Sequence, residues 1–102
     1  MSGGFGEPRS AENSTVTVGT TPVELFKAVP NRNYFYVYNG TAAKVLTVFL
    51  GEGTVTANNG VVLQTGESYT QSDSEGFRAW RGKVMAVCDA AGCTVSRQAT
   101  EF

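Results

Sequence analysis

A chain of 102 residues with 41% hydrophobic side chains has the length of one domain and can bury a real core. Eight Lys plus Arg against nine Asp plus Glu leave a net charge of −1, without the basic excess of a general nucleic-acid or anionic-membrane binder. There is no histidine, which removes the commonest general base, the commonest metal ligand and every Ser-His or Cys-His arrangement. A non-enzymatic role with no cofactor and no metal is the expectation.

Residues 1–13 are rich in Gly and Ser, carry one aromatic (Phe5) and show no alternation, so they read as a flexible N-terminal arm with Phe5 as its anchor. This segment lacks the apolar centre of a signal peptide. No stretch approaches the ~18 apolar residues of a membrane-spanning helix. Synthesis and retention in a cytosol is the expectation.

From residue 14 to 102 the pattern is that of strands. The chain contains 13 Val and 12 Thr, and β-branched residues favour pleated, half-buried surfaces. Val16 and Val18 alternate with Thr17, Val23 and Leu25 with Glu24, and Tyr34, Tyr36 and Tyr38 with Phe35 and Val37. Val45 to Leu50 reads as a strand buried on both faces. Further strands are expected at Val61 to Leu63, Ser68 to Gln71, Phe77 to Trp80, Lys83 to Cys88 and Cys93 to Arg97. Turn signals such as Pro30-Asn31, Asn39-Gly40, Asn59-Gly60 and Gly66-Glu67 separate them. Eight or nine short strands punctuated in this way predict an all-β chain folded as an antiparallel β-sandwich, jelly-roll-like or immunoglobulin-like.

Several features could carry chemistry. The carboxylates, among them Glu24, Glu52, Asp73, Glu75 and Asp89, fall mostly in turns or at strand edges and read as solvated turn residues rather than a catalytic pair. Asp73 and Glu75 lack the spacing of a calcium loop. Gly51 and Gly53 form a Gly-x-Gly with no helix after it, so a turn suffices. Phe77-Arg78-Ala79-Trp80-Arg81-Gly82-Lys83 is the one local concentration of cations, with two aromatics interleaved. Strand alternation would split it across two faces, which favours packing or a subunit contact at Trp80 over base stacking. The stripe Tyr34, Tyr36 and Tyr38 makes an amphipathic ridge suited to a subunit or partner contact, or alternatively to stacking on sugars. Cys88 and Cys93 flank a four-residue turn. In a hairpin their Cα atoms would fall in the disulfide window, while a cytosolic setting favours two small reduced thiols. The sequons at Asn13 and Asn39 read as coincidences of an Asn- and Thr-rich β protein.

The order of these pieces resembles a known class. Asn31-Arg32-Asn33 opens a strand ending at Asn39, Gly51-Glu52-Gly53-Thr54-Val55-Thr56 follows, then Asn59-Gly60-Val61-Val62-Leu63 and Gly66-Glu67-Ser68, and late in the chain Val84-Met85-Ala86-Val87. Over about residues 14 to 98 this is similar to small β-sandwich virion proteins of tailed bacteriophages, although aliphatic residues are usual where Tyr34 to Tyr38 stand. The resemblance implies a non-enzymatic virion protein assembled in the host cytoplasm, namely a decoration or cement protein that binds the outer shell and self-associates. Its partners would be the major capsid protein or other virion proteins, with neither nucleic acid nor membrane involved. A neck or tail component and a carbohydrate-binding module for host glycans are the alternatives.

Overall fold

The computed structural model describes residues 10–101 except 52, 54 and 57. Among these residues eight strands run in chain order: β1 (Ser10–Val18), β2 (Val23–Phe26), β3 (Arg32–Asn39), β4 (Leu46–Leu50), β5 (Val61–Leu63), β6 (Ser68–Ser72), β7 (Val84–Cys88) and β8 (Cys93–Glu101). They form two four-stranded antiparallel sheets, ordered β1-β8-β3-β6 and β2-β7-β4-β5. The pairings β1·β8, β2·β7, β3·β6 and β4·β5 are those of one long hairpin with its tip between β4 and β5, rolled so that β3 meets β8 and β4 meets β7. That is the jelly-roll order, so of the two sandwich topologies expected the immunoglobulin-like one is set aside.

Apolar side chains at alternate positions point between the sheets. Val18, Phe35, Val37 and Val95 from one sheet meet Leu25, Leu46, Val48, Val84 and Ala86 from the other, all completely buried. Each such Val, Leu or Phe contributes about 1.5–3 kcal/mol relative to exposure. Phe35 packs against Phe26 and Tyr69, with ring centroids 5.7 and 5.8 Å away.

Four expectations change. β1 begins at Ser10, so residues 10–13 belong to a strand paired with β8 rather than to an arm, and β8 runs on to Glu101 instead of ending at Arg97. Residues 78–81 form no strand. They lie in the crossing from β6 to β7, where Asp73 Oδ1 accepts from the Ala79 amide and Gln71 Oε1 from the Trp80 amide, both at 2.8 Å. Those side-chain acceptors satisfy amides that a ladder would otherwise have used. Finally, Cys88 and Cys93 do not flank a hairpin within one sheet. They flank an arch that carries the chain from β7 in one sheet to β8 in the other.

Candidate functional site

The outward face of the β1-β8-β3-β6 sheet is built by alternation. With Phe35 and Val37 turned inward, Tyr34, Tyr36 and Tyr38 stand outward on β3. Register places Thr100, Gln98 and Ser96 of β8 beside them on one flank, and Ser72, Thr70 and Ser68 of β6 on the other. β1 adds Ala11, Asn13, Thr15 and Thr17 beyond β8. None of these outward residues is charged. The whole face consists of hydroxyls, amides, one methyl group and a central tyrosine ridge.

This face is internally cross-braced. Tyr34 OH donates to Gln98 Oε1 at 3.0 Å, and Gln98 Nε2 donates to Asn13 Oδ1 at 2.5 Å, a relay spanning β3, β8 and β1. The rings of Tyr36 and Tyr38 lie parallel, 6° apart in tilt with centroids 6.5 Å apart. A shallow depression of about 410 Å³ opens beside Tyr36, bounded by Asn13, Thr15, Ser96, Gln98 and, from the inward-facing set, Ser14 and Arg97. Side chains already held in place lose little freedom when a partner covers them, and tyrosine has few torsions to lose in any case. Such a face suits a broad, uncharged contact.

The structure thus brings together three of the sequence candidates and separates another. Trp80 sits in the β6–β7 crossing, its ring lying against Gly82 and Gly51 and its Nε1 donating to the Lys83 carbonyl at 3.0 Å. A Cβ at Gly82 would collide with the Trp80 ring, so any other residue there would displace the indole. Trp80 and Phe77 remain partly exposed on that crossing, at 38% and 48%. Phe5 lies outside the described residues.

Cys88 and Cys93 are buried free thiols. Burial, then the hydrogen bond and the charge of Cys88, push Cys93 up from 9.0 to about 12. A folded value above the unfolded one means that this contribution to stability is complete below the unfolded value and is lost as pH rises through the folded one. The slope is about 1.4 kcal/mol per pH unit. The stability of the wild type relative to Cys93→Val is therefore expected to fall between about pH 8 and pH 10. A difference that stays constant in urea titrations at the two pH values would contradict it.

Residues not singled out by sequence reasoning hold the end of the sandwich where β1 begins and β8 ends. Arg32 is 2% exposed, yet among the described residues no carboxylate forms an ion pair with its guanidinium. Nη1 donates to the carbonyls of Trp80 at 3.1 Å and Gly82 at 3.0 Å, and Nη2 to that of Lys27 at 2.5 Å. The same group lies 5.2 Å from the centroid of Phe26 and 5.9 Å from that of Phe35. Burial lowers its pKa, and the charges of Glu101 and Glu12 act against that. Arg97 also lies over Phe26, at 5.5 Å, while its side chain donates to Ser14 Oγ and the Leu25 carbonyl and pairs with Glu12 at 3.6 Å. Around the two arginines is a cleft of about 490 Å³, with Leu25, Val29 and Ala99 among its walls.

A further role the sequence did not show is that of Asn39, which is completely buried. Its Nδ2 donates to the carbonyls of Lys44 and Leu63 at 2.9 and 3.0 Å, and its Oδ1 accepts from the Thr41 amide at 3.1 Å. An amide so enclosed is out of reach of glycosylation as long as the chain is folded. Several turn carboxylates act as clamps: Asp73 pairs with Arg81 at 2.7 Å, Asp89 accepts from the Val45 amide and Glu67 from the Gln64 amide. Among the described residues no three His, Cys, Asp or Glu side chains converge as a metal site would need.

Compared with known protein families, with curated proteins and with solved structures, the chain finds no match.

Proposed function

We propose that this chain is a non-enzymatic structural component of a bacteriophage virion, a decoration or cement protein that lays its tyrosine-ridged face on the outer shell. One observation carries this reading: an entire four-stranded face without a charged side chain, braced by hydrogen bonds and centred on Tyr34, Tyr36 and Tyr38. Charge depletion with tyrosine enrichment is the composition of an interface centre rather than of free surface. The near-neutral net charge fits recognition by shape and contact instead of long-range attraction. The virion setting rests on the order of turn motifs in the sequence. The jelly roll lends it support by analogy, since this architecture recurs in viral capsid proteins and in lectins. Repetition of the protein over a symmetric shell would multiply weak contacts by avidity.

The test is co-sedimentation with purified shells of the source phage. Tyr36→Ala combined with Gln98→Lys is expected to weaken binding by about 100-fold, near 2.7 kcal/mol, because it removes a central ring and introduces an unpaired charge. Shells that fail to retain the wild type, or retain the variant equally well, would overturn the reading. The depression beside Tyr36, with amide and hydroxyl groups around one ring, favours glycan binding as the second reading. Binding of the isolated protein to a glycan array, abolished by Gln98→Ala, would select it.

A further inference from the structure

The two sheets end in four edge strands, β1, β6, β2 and β5, of nine, five, four and three residues. An edge strand exposes unpaired backbone N–H and C=O groups, and proteins blunt it by shortness, proline, lysine or a bulge. Three of these edges are blunted. β5 is very short, β2 follows Pro22 and has a register shift between Glu24 and Phe26, and β6 is short and leads into the Ser74–Phe77 bridge. β1 is long and unbulged, and its one charge, Glu12, which by alternation faces inward with Val16 and Val18, is taken up by Arg97 of β8. The strand pairs with β8 without irregularity over all nine residues and contains neither Lys nor Pro.

We propose that β1 is a self-pairing edge, joining antiparallel to β1 of a second copy about a two-fold axis at Ser14. This rests on the reading of the chain as an assembling protein and names one of its partners, itself. In that register Asn13 faces Thr15, Ala11 faces Thr17 and Glu12 faces Val16. Glu12 is the one charged residue on the strand and is already paired with Arg97. The two copies of Glu12 stand four residues apart along the seam, roughly 13 Å, beyond the ~8 Å screening length at physiological salt. No like charges oppose one another. The two uncharged outer faces become continuous, giving an eight-stranded sheet with a tyrosine ridge on either side of the seam. A closed two-fold contact of this kind leaves no new β1 edge to propagate.

Sedimentation of the full chain without shells tests this apart from shell binding. The wild type is expected to dimerise below about 100 µM. Thr15→Lys, which sets a charge in the seam, is expected to raise the dissociation constant at least about tenfold, while Thr70→Lys on the β6 edge leaves it unchanged. Circular dichroism confirms that each variant is folded. Ser14→Cys places two thiols across the axis within the Cα window for a disulfide, so mild oxidation with oxidised glutathione is expected to give a covalent dimer. Thr17→Cys, whose counterpart is Ala11, is expected to give none. A wild type that stays monomeric at about 500 µM, a Thr15→Lys variant that dimerises like the wild type, or equal cross-linking at positions 14 and 17 would each overturn the proposal. Loss of shell binding with dimerisation intact would count only against the docking face.

Discussion

Arg32→Leu is expected to lower the unfolding free energy by about 3–5 kcal/mol, the cost of breaking a buried, charge-assisted network. Leucine matches the apolar surroundings of Phe26 and Phe35 but leaves the carbonyls of Lys27, Trp80 and Gly82 without their donor. Each buried acceptor left unpaired costs roughly 1–3 kcal/mol, less wherever water can enter. Those carbonyls belong to two crossings, from β2 to β3 and from β6 to β7, so the arginine ties both to the first residue of β3. The loss is a large share of the ~5–15 kcal/mol available to a domain. Arg32→Lys should lie between, keeping a charge but not the planar fork that reaches three carbonyls while stacking on rings. Urea unfolding of the three proteins is the measurement. An Arg32→Leu variant within about 1 kcal/mol of the wild type would show that the network is dispensable.

Asn39→Asp is expected to cost about 4 kcal/mol at neutral pH, the range of an uncompensated buried charge, although it changes one atom of the side chain. The amide donates two hydrogen bonds, to the carbonyls of Lys44 and Leu63. A carboxylate would present oxygen to oxygen at both, and among the described residues no cationic group hydrogen-bonds this side chain to compensate. The penalty has a pH signature. A buried unpaired carboxyl has a folded pKa above its unfolded value of about 3.9. The variant therefore binds more protons folded than unfolded, and its stability falls as pH rises past about 4, at up to ~1.4 kcal/mol per unit. Relative to wild type it should recover in acid. Denaturation at two pH values checks the sign, and a deficit that deepens in acid would contradict the account.

Arg32 and Asn39 also show where sequence reading stops. The period-2 pattern of Tyr34, Tyr36 and Tyr38 was legible, and so was the tyrosine face, because alternation is a local property of an extended chain. Counted back by the same rule, Arg32 falls on the tyrosine face. A register irregularity between Arg32 and Tyr34 turns it inward, under Phe26 and Phe35. No local signal announces that. Asn39 stood out as half of an Asn-Gly turn, as a strand end and as a sequon, whereas its role depends on carbonyls from Lys44 and Leu63, the latter 24 residues away. Trp80 was expected on a strand, and Asp73 and Gln71 capture that segment by side-chain hydrogen bonds that compete with a ladder.

By itself the sequence determined the all-β class, most of the strands, which residues alternate outward on β3, and the want of histidine chemistry. These follow from residue type and from periodicity along a few neighbouring positions. Only the tertiary structure decided that the strands roll up as one long hairpin, with β1 beside β8 and Cys88 separated from Cys93 by an inter-sheet arch. It alone gathered Asn13, Gln98 and Tyr34 into one relay and left β1 as the long open edge. Such outcomes depend on which distant strands pair, and pairing is set by burying every apolar face at once, a condition on the whole chain that no window of sequence contains.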